Sequence, residues 1–181
     1  MKNIFKIGLA ASLFAGSSLV LAATADGSLG GTSTGTTDVT LTIDEKFQIS
    51  GMDAFSFGSW SGTGDLDAER TMCVYHNGDG SYRVTFTDNS ALSVGFAVEN
   101  AADTAAIPME VRFVATLAST GNVAVTYNTA ETQAALAANI SAPGCGGVDN
   151  ANIQVVITEA DLNNASAGAY DSEITVVVDP D

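Results

Sequence analysis

The residues of this 181-residue chain with the widest chemical range are Cys73, Cys145 and a single histidine, His76. Two thiols in an exported chain point to a disulfide. A metal site or a reactive thiol is the competing reading, but it lacks further ligands, because the chain has one histidine and no Cys-x-x-Cys. Closing a loop of this length stabilises by roughly 4 kcal/mol in the chain-entropy account. His76, Asp79 and Ser81 supply the residue types of a hydrolase. Three polar groups inside one tight turn cannot adopt nucleophile-base-orienter geometry by themselves, and HNGDGS is turn chemistry.

Asp65, Asp67 and Glu69 alternate in a Gly-rich stretch and could offer oxygens to calcium. A twelve-residue calcium loop is missing there. In the stretch opening at Tyr75 a tyrosine replaces the first carboxylate, and Phe86 stands in for the bidentate glutamate. A solvated acidic loop is the reading adopted, with calcium left open. Trp60 could stack on a sugar, although a lone tryptophan more often belongs to a core or its rim. No catalytic residue, metal ligand or cofactor site is therefore assigned, and the chain is read as not an enzyme.

The surroundings of these residues narrow the class. Lys2 and Lys6 precede an apolar run from Ile7 to Leu21, followed by small residues through Ala25. This reads as a signal peptide over residues 1–25, cleaved after Ala22 or Ala25. The run is short for a membrane span and no second run of that kind follows, so the chain is expected to be exported and not membrane-spanning. What remains is one domain's worth of chain. It carries all 21 acidic residues but only Lys46, Arg70, Arg83 and Arg112 as basic ones, a formal charge of 4 minus 21, or −17. Nothing there could displace counterions from phosphates, so nucleic acid is excluded as a partner.

Beyond the signal the chain alternates at the period of a strand. Runs are expected at 47–49, 54–60, 70–75, 82–87, 92–98, 109–117, 123–127, 153–158 and 173–178, with 61–69 a loop and HNGDGS closing a hairpin. The stretch 129–139 is too short and poorly capped for more than a helical turn. The expected fold is all-β, two packed antiparallel sheets, with no substantial helix.

One run stands apart. In GTTDVTLTI, residues 35–43, Val39, Leu41 and Ile43 alternate with Asp38, Thr40 and Thr42, and the preceding DGSLGGTSTG has little to bury. An amphipathic strand on a flexible extension, residues 26–45, can complete another molecule's sheet. It can equally be an ordinary first strand of its own domain, residues 46–181. Both readings stay open at this point.

Three stretches resemble archaic chaperone-usher pilins and the related spore coat protein U-like domains. AGAYDSEITVVVDP (167–180) is similar to their last strand, DAFSFGSW (53–60) to the segment after their first strand, and CVYHNGDGSYRVTF (73–86) to their cysteine-bearing second strand. The family pairs a first-strand cysteine with that of the second strand; Phe47 occupies the comparable position here, which leaves Cys145 as the partner of Cys73. The resemblance implies an incomplete immunoglobulin-like sandwich whose groove, lined by Ile174, Val176 and Val178, is filled first by a periplasmic chaperone and then by a neighbouring subunit's donor strand, Val39, Leu41 and Ile43. It further implies an outer-membrane usher, passage through the periplasm to the cell surface, and a pilus or coat used in adhesion or biofilm formation. The alternative is a self-complemented monomeric module that binds carbohydrate or another surface ligand.

Overall fold

The computed structural model describes residues 25–181 apart from 94, 103, 118–121 and 132–135. The expected signal therefore lies outside the described residues, save for Ala25, and so does Val94 of the 92–98 run. The chain divides into two units, 1–43 and 44–181.

In the first unit, Ala25 and Thr36 exchange backbone hydrogen bonds of 3.1 and 2.9 Å, closing the Gly- and Ser-rich stretch between them into a loop. Residues 37–43 join no ladder among the described residues. The alternation there is that of a strand, but a strand needs a partner for its backbone groups, and no described strand pairs with this one.

The second unit is built almost wholly of antiparallel strands: β1 (Phe47–Ser50), β2 (Leu66–His76), β3 (Arg83–Asp88), β4 (Ala97–Asn100), β5 (Ala106–Pro108), β6 (Glu110–Val114), β7 (Val123–Ala124), β8 (Ala130–Glu131), β9 (Ala151–Ile157), β10 (Tyr170–Asp171) and β11 (Ile174–Asp179). Five of them form a sheet in the order β1-β2-β9-β6-β7, and three-stranded sheets β11-β3-β8 and β10-β4-β5 complete the set. The all-β expectation holds. Inward residues of facing strands make one core: Met72 and Val74 from β2, Val84 and Phe86 from β3, Val111 and Phe113 from β6, Ile153 and Val155 from β9. Phe86 and Phe113 meet with ring centroids 5.4 Å apart. Strand β9 is buried along its whole length because its outward residues are covered as well. Gln154 donates to the Asp67 carboxylate, and the Asn122 amide donates to Glu69 and Asn152.

Several local expectations are corrected. HNGDGS does not close a hairpin: β2 pairs with β1 and β9, whereas β3 pairs with β11 and β8, so the turn carries the chain between sheets. Strand β2 starts at Leu66, inside the expected loop, since Asp67 and Glu69 face outward to amide partners and Leu66 and Ala68 face in. Residues 54–60 form no strand; Phe55 and Phe57 pack on the core from an irregular segment. A short helix, α1 (Glu159–Asn164), appears where none was expected, its N-cap Thr158 accepting from the Asp161 N–H. Leu92 and Leu117, expected to alternate inward, are exposed.

Cys73 and Cys145 form a disulfide with their α-carbons 5.9 Å apart. The bond fastens the 3₁₀ turn Pro143–Gly147 to the outer face of β2. Cys145 itself has a φ of 52°, a left-handed conformation it shares with Gly144 and Gly146.

Candidate functional site: an open slot between two sheet edges

Both β1 and β11 are terminal strands of their sheets. Each has one side in a ladder, β1 with β2 and β11 with β3, and its other side has no ladder partner among the described residues. The two strands come into contact. Beside them stand two walls, one made of residues 52–60, which follow β1, the other of residues 162–174, which lead into β11. Ile174, Val176 and Val178 point inward from β11 and pack on the core, yet each stays half-buried, and of the three Ile174 lines a cleft. Phe47 and Ile49 pack on the core from β1 and are likewise half-buried.

Between the walls lie two adjoining clefts. The first, about 570 Å³, is lined by Phe55, Phe57, Tyr170 and Ile174 and reaches down to Met109 and Ile153 of the core. The second, about 740 Å³, is bounded by Trp60, Leu66, Ile107, Ile157 and Leu162, and the two share Phe57, Val98 and Tyr170. Core side chains therefore line open space, which is the arrangement expected where a sheet lacks a strand. Arg70 holds the first wall in place: its Nε donates to the Ala54 carbonyl at 3.1 Å and its guanidinium lies 5.4 Å from the Phe55 ring centroid.

Among the described residues the most exposed large apolar side chains are in the first unit. Val39, Leu41 and Ile43 are 90%, 83% and 72% exposed.

The remaining candidates separate. Asp65 accepts from the Glu159 N–H at 2.7 Å while Glu159 accepts from the Gly64 N–H at 3.0 Å, so this carboxylate ties a loop to the start of α1. Asp67 and Glu69 belong to the amide network on β2 and β9, and no group of three or more metal-ligating side chains occurs among the described residues. Trp60 is half-buried, with its indole N–H donated to the Gly64 carbonyl at 2.9 Å. His76 is buried: Nδ1 accepts from the Gly80 N–H at 3.1 Å, and the ring stacks on Phe47 at 4.1 Å. Ser81 meets Asp79 through its backbone N–H.

Asn77 escaped the sequence reading. Its N–H donates to the Lys46 carbonyl, its side-chain oxygen accepts from the Lys46 N–H at 2.7 Å, and its side-chain nitrogen donates to the Asp44 carbonyl at 3.0 Å. Only its place directly after a strand, in a turn, hinted at a role. Gly78 beside it has no room for a side chain, since a Cβ there would lie 2.7 Å from the His76 ring.

No protein-family model and no curated protein sequence matches this chain. A solved structure described as "Chaperone-tip adhesin complex is vital for synergistic activation of CFA/I fimbriae biogenesis" is similar in fold, with a TM-score of 0.53 at 18% identity. The match covers 75% of this chain and 41% of that one. Among the described residues no helix is long and apolar enough to cross a membrane.

Proposed function

We propose that the chain is a structural subunit of a fimbria-type surface fibre, assembled by strand donation. Val39, Leu41 and Ile43 of one copy enter the slot of the next, beside Ile174, Val176 and Val178. The added backbone satisfies the free sides of β1 and β11, and alternate side chains fill the clefts. One observation carries the reading: a slot with two unpaired edges and an unpartnered amphipathic segment occur in the same chain. Donor and acceptor are different surfaces, so the contact is head-to-tail and propagates into a filament.

An apolar slot left open invites aggregation, so the subunit needs a covering partner before assembly. A periplasmic chaperone and an outer-membrane usher fit that need, and the fold neighbour comes from a chaperone–adhesin complex of fimbriae. On this reading the chain is exported through the periplasm to the cell surface, serves adhesion or biofilm formation, and acts without a cofactor or catalytic residues.

The test is Leu41→Asp. Burying the three donor side chains contributes roughly 5–9 kcal/mol of gross transfer free energy, at about 1.5–3 kcal/mol each. A carboxylate in place of the Leu41 side chain must be desolvated to dock, which opposes insertion. Wild-type fibres are expected to run as denaturant-resistant ladders on gels, and the variant as monomer. An unchanged ladder from Leu41→Asp would overturn strand donation.

A further inference from the structure

Resting on the strand-donation reading above, we infer that Asn77 is the positioning residue that commits the arm to a neighbouring copy instead of the chain's own slot. Self-insertion is a topological hazard here. Ile43 is separated from Phe47 by Asp44, Glu45 and Lys46 alone, and three residues are a common hairpin loop. Were the chain to reverse over those residues, 39–43 would pair with the free side of β1, the side not bonded to β2. A subunit closed in that way has no donor to offer and no acceptor to fill.

Asn77 makes three hydrogen bonds to this stretch, and the two from its side chain oppose the reversal. The β1–β2 ladder ends at the pair Phe47 and His76. One step further, the Asn77 N–H holds the Lys46 carbonyl, and its side-chain amide offers one acceptor and one donor, as a peptide group does, to Lys46 N–H and Asp44 O. The amide thus extends the ladder past the end of β2 and keeps 44–46 in line with β1. A hairpin over these residues must break the bonds of the Asn77 side-chain amide, whereas the Asn77 N–H bond to the Lys46 carbonyl lies on the β2 side and can persist. Aspartate at this position would keep the acceptor, lose the donor and set a carboxylate beside the Asp44 carbonyl. Alanine would lose both side-chain bonds.

The experiment uses the oxidised full chain, refolded from urea at low concentration and then seeded with wild-type polymer. The quantity read is the fraction that stays monomeric after seeding, with hydrogen exchange at residues 39–43 in that monomer. Losing two hydrogen bonds is expected to raise this fraction about tenfold in Asn77→Ala, with Asn77→Asp in between. Glu45→Gly, which creates a turn-favouring Asp-Gly pair, is expected to assemble as wild type while Asn77 is present and to become largely monomeric in combination with Asn77→Ala. Amides 39–43 of the resistant monomer should be protected, and adding Leu41→Asp should abolish that protection. If wild type assembles but Asn77→Ala partitions within twofold of it, whatever its thermal stability, the assignment to Asn77 is overturned while strand donation stands. If wild type forms no seeded polymer, both fall.

Discussion

Removing the Cys73–Cys145 bond tests how the second unit is held. The crosslink spans 72 residues and encloses β3 through β8, hence the whole β11-β3-β8 partnership apart from β11. Chain-entropy arguments give about 4 kcal/mol for a loop of that size. Some of this returns, because Cys145 is held at a φ of 52°, a conformation that costs a non-glycine residue roughly 1–2 kcal/mol, and the freed turn can relax. The paired variant Cys73→Ala with Cys145→Ala, made in the Leu41→Asp background so that unfolding stays unimolecular, should lose about 2–4 kcal/mol. At a urea slope of about 2 kcal/mol/M, typical of domains this size, the midpoint falls by about 1–2 M. The slope itself should rise, since an uncrosslinked unfolded chain exposes more surface. Urea titration followed by circular dichroism reads both quantities. A midpoint within about 0.3 M of the parent, with an unchanged slope, would show that the bond only decorates a turn already fixed by other contacts, such as the Gly144 N–H donated to the Gln48 side-chain oxygen at 2.9 Å.

Two further outcomes follow from the geometry. Phe86→Ala empties a fully buried site against Phe113 and should cost about 3–5 kcal/mol, read as a lower thermal midpoint; a loss under about 1 kcal/mol would contradict a close-packed core. The Glu99 carboxyl is held below its ordinary range by the Ser90 hydroxyl, against the opposing effect of burial, with the Leu92 and Ala91 amides adding to the lowering. A depressed folded-state value means the stabilisation is complete above the ordinary carboxyl range and is lost as pH falls through the folded-state value. Exchange of the Ala91 and Leu92 amides, corrected for its intrinsic pH dependence, should therefore quicken as pH falls below the ordinary carboxyl range, and Glu99→Gln should flatten that dependence.

The strands that carry the core were legible because they keep period two against a buried face: Val84 and Phe86, Val111 and Phe113, Ile153 and Val155 all point as their alternation says. What escaped was set by partners distant in sequence. HNGDGS has hairpin composition, but composition reports that the chain turns and says nothing of which sheet it enters next. Leu66–Glu69 looked like a loop because its outward carboxylates are satisfied by Gln154 and Asn122, residues 53 or more positions away. Helix α1 is too short to show a period, and its cap, Thr158, sits directly after a buried strand. For the slot, Ile174, Val176 and Val178 are readable as an inward face, whereas Trp60, in an irregular segment, and Tyr170, in a two-residue strand, are not, because neither belongs to a run long enough to show a period. Asn77 left no pattern at all, since a ladder continued by a side chain has no periodicity.

Turns on a protein's outside ordinarily accept substitution freely, and position 78 does not. Any side chain there would press on the imidazole of His76, which is stacked on Phe47, which belongs to the edge strand β1. A mutation that is chemically silent and visible only at the surface would thus be transmitted inward through two rings to the receiving edge, so that variation in this turn is constrained by a docking event on the far side of the same stack.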